Sequence, residues 1–414
     1  MHQSFASNHK KLSLVISLLL IASFIVKLVK ATIANLQADP LNSFGYSELL
    51  INYEGGFVRR GLLGEGIFKI FNIGEFPLQL TLFLACYIIF AGVAVFLFYR
   101  FKKLNYCWWL LLSPVVLNMP ANIIRKDYLL FALFIAGIYL LRQAKPSTLR
   151  KLVALAIVVV ALLIHEAFIF WGWPIFFLLL IAQRANRPIN VAIALIPLAL
   201  FGLLCLCKGS AETSRLIVDS WNSILPGAPI LDTHDSSIGA IGWETSDAIK
   251  YHFFKNVGSN YSGIIVTPLL VLAIYYMLTN LLPLFSKQSV NEGNQTKLAV
   301  SLLFSLLILC LVPMLTILSC DTGRTIQCAT VATLATLVIL PPDRIVALFP
   351  GCCVNNINRL NSILAKILPP RYGLLLIMLL TIGVTPWFFS IYNDWAQSIL
   401  GSLYLAITSP STYF

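Results

Sequence analysis

Apolar residues along this chain come in long unbroken runs separated by polar stretches. They show neither the 3.6-residue striping of a surface helix nor the alternation of a half-buried strand. Runs of about 15–25 residues match the length a helix needs to cross about 30 Å of hydrocarbon. In hydrocarbon every backbone N–H must bond within its own segment, so these runs are read as helices. The lumen-and-lipid alternation of a β-barrel is absent. Helices are expected over 12–35, 78–99, 106–120, 127–141, 152–165, 167–182, 189–207, 263–284, 298–318, 326–340 and 373–391. The expected fold is an all-α, polytopic integral membrane bundle of about eleven spans, or ten to twelve. The range reflects three segments that are short for a bilayer (106–120, 127–141 and 152–165) and a weakly apolar stretch at 395–411.

Composition strengthens this reading. The chain is 58% hydrophobic and 11% charged, whereas soluble domains carry about 25% charged residues. The net charge of +12 does not point to nucleic acid, because no basic helix or basic stripe interleaved with aromatics lies outside the loops. Alternate loops instead hold 17 of the 29 Lys and Arg residues, from Lys10 and Lys11 through Arg100, Arg142, Lys151 and Arg344 to Arg371. The positive-inside rule makes that face, and the N-terminus, cytoplasmic. On the opposite face fall 15 of the 17 carboxylates, an asymmetry independent of the Lys and Arg distribution. The first apolar run resembles a signal peptide, but Lys27 and Lys30 interrupt the region of a cleavage site, so an uncleaved helix is expected.

Two long segments lie on the external face of a single membrane domain, 36–76 and 208–262. The second is too polar to insert and reads as a lid over a cavity or as a spacer. The nine cysteines form no CxxC pair and no metal spacing, and no metal or cofactor is expected. Cys320 and Cys328 flank an external loop, where spacing alone does not establish a disulfide.

Four charged clusters carry the candidate chemistry. In the first, Glu54, Gly55, Gly56, Arg59, Arg60, Gly61, Gly64 and Glu65 crowd into an otherwise apolar region. Glycines allow close backbone approach to a ligand, and paired arginines match phosphate oxygens with forked donors. Lipid-headgroup anchoring by an interfacial helix explains the same residues. Arg125, Lys126 and Asp127 open the fourth helix; interfacial anchoring explains the two cations less well once Asp127 is included. His165 and Glu166 are flanked by apolar runs, where charge is costly and usually faces a polar cavity. A tight turn with both side chains in water is the alternative. Asp321 and Arg324 share a motif three residues apart, fit for an internal ion pair or for a phosphate held by Arg324 and oriented by Asp321.

The GGFVRRG stretch at 55–61, IIRKD at 123–127, HE at 165–166 and DTGR at 321–324 all fall on the external face. With the many-helix layout and two sizeable external loops, they resemble the Wzy-type O-antigen and capsule polymerases and, more loosely, the C-type polyprenyl-dependent glycosyltransferases. C-type enzymes place acidic residues in the first external loop, where Glu48, Glu54 or Glu65 would stand. The resemblance implies a bacterial inner-membrane enzyme that transfers glycan repeats between polyprenyl diphosphates. Its partners would be a polyprenyl-linked oligosaccharide, membrane lipid and a chain-length regulator or flippase. Arg59, Arg60, Arg125 and Arg324 would hold diphosphate, with Glu54, Asp127, His165 or Glu166 supplying a base, and Glu65 and Asp321 in support. No Walker loop or Rossmann fingerprint contradicts this. A transporter or flippase for an anionic lipid-linked substrate would also need arginines. Pro114, Pro174, Pro197, Pro268 and Pro313 interrupt helices as transporters require, but without a twofold pattern.

Overall fold

The computed structural model describes residues 2–41, 43–73, 77–113, 116–117, 123–183, 187–225, 237–253, 262–286, 289–319 and 321–367. Regular structure among them is helical throughout: α1 (His2–Gln37), α2 (Phe44–Leu49), α3 (Gly61–Ile73), α4 (Leu78–Lys103), α5 (Asp127–Leu141), α6 (Thr148–Ile164), α7 (Phe168–Trp171), α8 (Trp173–Ile181), α9 (Arg187–Leu206), α10 (Ala211–Ser220), α11 (Thr245–Phe253), α12 (Ser262–Tyr276), α13 (Leu282–Phe285), α14 (Val290–Pro313), α15 (Thr322–Ile339), α16 (Pro342–Ala347) and α17 (Gly351–Ile367). Among the described residues, four segments are long and apolar enough to cross a membrane: Leu20–Gln37, Leu78–Lys103, Arg187–Leu206 and Val290–Leu318. The apolar helices Asp127–Leu141 and Thr267–Asn280 are shorter. The expected span at 373–391 and the weakly apolar stretch at 395–411 lie outside the described residues.

Two expected helices differ in form. Over 106–120 the described chain makes only a 3₁₀ turn, Trp108–Leu112, bounded by extended backbone at Cys107 and Ser113. Ser113 precedes Pro114, which disfavours helical backbone at that position. The run at 167–182 is broken into α7 and α8 around Gly172, with Pro174 in the first turn of α8, where a proline ring is tolerated.

The centre of the bundle is α15. Every residue from Thr325 to Ile339 is buried, enclosed by α14, α5 and α4. Its small Ala and Thr side chains allow neighbouring backbones to approach closely. Buried threonine hydroxyls return to the helix itself, as in Thr330 to the Ile326 carbonyl (2.9 Å) and Thr336 to that of Ala332.

The described parts of the segments 36–76 and 208–262 are bound to each other. Trp221 donates its indole N–H to the Leu50 carbonyl, and Asn52 donates to the Ser220 hydroxyl, each at 2.9 Å. Ser237 N–H donates to Ser47 Oγ, and Ser237 Oγ–H to the Phe44 carbonyl. The second segment is therefore a docked cap rather than a spacer.

Candidate functional site

The four clusters, far apart in sequence, meet at one end of the bundle. The start of α5, the start of α15 and the end of α6 bring in Asp127, Arg324 and His165. The docked α2 adds Glu48, and the turn before α3 adds Arg60.

Glu48 is the hub. Its side chain is 1% exposed and accepts from Arg324 Nη2 (3.1 Å to Oε1, 3.3 Å to Oε2) and from His165 Nε2 (3.2 Å). Arg324 also donates through Nε to Asp127 Oδ2 at 2.7 Å. One guanidinium thus joins two carboxylates. Burial alone would raise the Glu48 carboxyl, but Arg324 and the hydrogen bond from His165 together hold it well below the usual carboxylate range.

The tautomer of His165 follows from its partners. Nδ1 accepts the Ala167 backbone N–H at 3.2 Å, so the proton sits on Nε2, which faces Glu48. Both nitrogens are occupied and the ring is buried, so His165 orients Glu48. Of the two readings of His165 and Glu166, the turn exists, but both side chains point inward rather than into water.

Glu166 receives a forked pair from Arg60: Nε at 2.9 Å to each oxygen, and Nη2 to Oε1 at 2.6 Å. This geometry gives a strong ion pair. Burial would raise the Glu166 carboxyl, but the charge of Arg60 outweighs it and the group lies well below its usual range. Arg60 has φ of +69°, a conformation costly for a residue with a side chain and typical of functional turns. That turn sends its guanidinium to Glu166 and its carbonyl to Lys126 Nζ, 2.7 Å away. Arg60 therefore does not serve as a headgroup anchor. Arg59 is different: 38% exposed, it reaches Glu166 only at 3.9 Å.

Lys126 is fully buried. Desolvation pushes its ammonium down to about 7, against the attraction of Glu48. Of the two readings of this cluster, interfacial anchoring does not hold for Lys126. Beside it, Arg125 pairs with Asp321 at 2.9 Å and lies over the Phe44 ring. Asp321 and Arg324 thus take partners on other elements in place of the internal pair. Asp321, 36% exposed, lies at the rim.

Compared with protein-family models, characterised proteins and solved structures, the chain matches none.

Two predicted residues are not brought into the network. Glu54 is exposed on the first-loop surface. Glu65 accepts the Tyr53 backbone N–H at 3.0 Å and pairs with Lys69 at 2.9 Å, which fixes the loop to α3. The glycines here serve the chain's own packing. Gly56 takes a φ of +104°, and a Cβ on Gly64 would overlap the Ile51 carbonyl. Glu48 and Lys126, neither of which the sequence assigned to catalysis or to diphosphate binding, are central. For Glu48 the sequence signals were its place among the acids of residues 36–76 and a carboxylate inside the apolar run YSELLI.

Proposed function

We propose that this chain is a multi-pass protein of the bacterial inner membrane that transfers glycan from one polyprenyl diphosphate to another lipid-linked acceptor at the external face. The observation that carries the reading is the forked Arg60–Glu166 pair, with Arg59 beside it at the exposed edge of a buried ion network. An incoming diphosphate would bind Arg59 and compete with Glu166 for Arg60. Phosphate oxygens fit the same fork as the carboxylate. Released from Arg60, Glu166 regains ordinary basicity and can accept a proton. The bond from the anomeric carbon to the diphosphate oxygen breaks as the acceptor hydroxyl oxygen attacks that carbon. The hydroxyl proton passes to Glu166, and the leaving diphosphate keeps its charge against the two arginines. Glu48, His165, Asp127 and Arg324 hold Arg60 and Glu166 in register from behind.

Purified protein in detergent, given lipid-linked repeats but no nucleotide sugar, ATP or gradient, should elongate them. Glu166→Gln should slow elongation by about 10²- to 10⁴-fold, the value of a general base, while still binding substrate. Movement of labelled lipid across sealed vesicles with no elongation would overturn the reading in favour of a transporter.

A further inference from the structure

The docked external cap contains a cavity of about 460 Å³, lined in part by Ser214, Gly242, Trp243, Glu244, Asp247 and Tyr251. This lies within the range of about 300–1,000 Å³ typical of small-molecule sites. We propose that it is a binding subsite for one or two rings of a neutral glycan, the part of the acceptor chain beyond the reacting sugar. The placement in the reaction rests on the transferase reading; the binding itself does not.

Several observations converge on this. Trp243 and Tyr251 pack edge to face, with centroids 5.1 Å apart and planes at 73°. The arrangement offers a flat ring face against which the C–H face of a pyranose can lie, as aromatic side chains do in apolar contacts. Glu244 and Asp247 stand beside the rings as exposed acceptors for ligand hydroxyls. Each is within reach of a lysine, Glu244 of Lys208 at 3.7 Å and Asp247 of Lys250 at 3.9 Å. The lysines offset part of the negative charge, and among the described residues only two rings line the cavity: His252, the third of the cluster, packs on both but does not line it, so no cage encloses a cation. A neutral polyhydroxylated ligand therefore fits better than an ammonium, which prefers an aromatic cage.

The location also suits an acceptor. The α10 wall meets the first external loop where Thr213 touches Gly55, four residues before Arg59. On the other side α11 packs against the Met314–Leu318 turn, just before Asp321. The two helices that line the cavity, α10 and α11, thus pack against the stretches of chain that carry Arg59 and Asp321.

Saturation-transfer NMR on the full-length protein in detergent micelles tests the proposal, with maltotriose, cellotriose and chitotriose as probes and tetramethylammonium as the cationic competitor. Ring protons of at least one trisaccharide should receive saturation. Trp243→Ala should weaken binding about tenfold, the equivalent of an aromatic contact of about 1.4 kcal/mol, and Tyr251→Ala should weaken it as well. Trp243→Phe, which keeps a ring, should restore most of it and shows that the cap is folded. No transfer to any probe, or equal transfer in the alanine variants, overturns the subsite. Saturation transfer to tetramethylammonium, with none to any of the trisaccharides, overturns the ligand class. Absence of elongation alongside intact, Trp243-dependent sugar binding would refute the transferase reading and leave the subsite standing.

Discussion

Basic side chains do different work at the two ends of this bundle. At one end, Arg60, Arg125 and Arg324 each bind carboxylates: Glu166, Asp321, and Glu48 with Asp127. At the other, basic side chains bind uncharged oxygens. Arg100 donates to the Val338 carbonyl at the end of α15, and Arg344 to the carbonyls of Leu141, Arg142 and Gln143 at the end of α5. Lys151 donates to the Asn190 side chain. A cation on terminal carbonyls satisfies acceptors that a helix leaves open and complements its dipole. That is sufficient reason for a basic residue without any ligand. Carboxylates buried beside arginines have no such reason. Removing charges from water costs several kcal/mol per ion, and replacing such pairs by apolar residues is often neutral or stabilising. Their presence in numbers at one end marks the end where charge is used.

The sharpest test of this difference removes the hub. Glu48→Ala would leave Arg324 half-paired and His165 Nε2–H without its acceptor in a closed interior. Breaking a buried pair from one side costs about 3–5 kcal/mol. Thermal unfolding in detergent should show a loss of that size, or no stable protein should be recovered; Glu48→Gln, which keeps an acceptor oxygen, should lose less. A loss below about 1 kcal/mol, the range of exposed pairs, would mean that water reaches the cluster and that the two ends are alike.

The second test uses pH. Burial depresses the Lys126 ammonium from 10.5 to about 7 in the folded protein. Between those values the unfolded chain binds the proton and the folded chain does not, so stability contributed through this group rises with pH. Below about 7 both states are charged, and the cost of burying the charge is present in full. Glu48 and Glu166 act in the same direction at acid pH. Their folded values lie well below 4.5, so the stability they contribute is present above the ordinary carboxylate range and is lost as pH falls through the folded values. Lys126→Met should flatten the rise between pH 7 and 10 and stabilise the protein at pH 6, as read by melting temperature across pH in one detergent. An unchanged slope would place the Lys126 ammonium in contact with water.

The sequence disclosed elements better than it disclosed geometry. The apolar runs of α4 and α14 identify themselves because their length and composition match what hydrocarbon demands. The segment at 326–340 was legible as a helix, but its central position was not. Its threonines and alanines lower its hydropathy, and only the surrounding helices show that it needs no lipid-facing surface. The 3₁₀ turn at Trp108–Leu112 was missed because tryptophan and leucine carry the same hydropathy in a turn as in a span. For the site, charge in an apolar setting located Arg60, Asp127, His165 and Arg324. It did not show who pairs with whom. Asp321 and Arg324 sit at helical spacing yet turn to different partners, and nothing local tells that Lys126 faces inward while Arg125 reaches Asp321. Those choices are made by the turn before α3, by α2 and by the start of α15, all distant in sequence. Glu48 was hardest to find because its importance lies entirely in long-range contacts.

The smallest effect is expected at the opposite end, and it is what gives the comparison meaning. Arg344→Gln would remove a guanidinium from the three carbonyls around the end of α5. These oxygens sit at a helix terminus beside exposed Gln143, where water can replace the lost donor. No opposite charge is left stranded, because none was paired. The loss should be about 0.3–1 kcal/mol, the usual value of a cation at a helix C-terminus. It should shrink further in high salt, which screens exposed charge within about 10 Å at 0.1 M. Elongation of lipid-linked repeats should stay at the level of the unaltered protein. Unfolding of Arg344→Gln and Glu48→Ala in the same detergent, at low and high salt, measures both ends on one scale. A loss above about 3 kcal/mol for Arg344→Gln, insensitive to salt, would show that this end is as closed to water as the other. Carboxylate pairing would then no longer distinguish a working site from a structural cap.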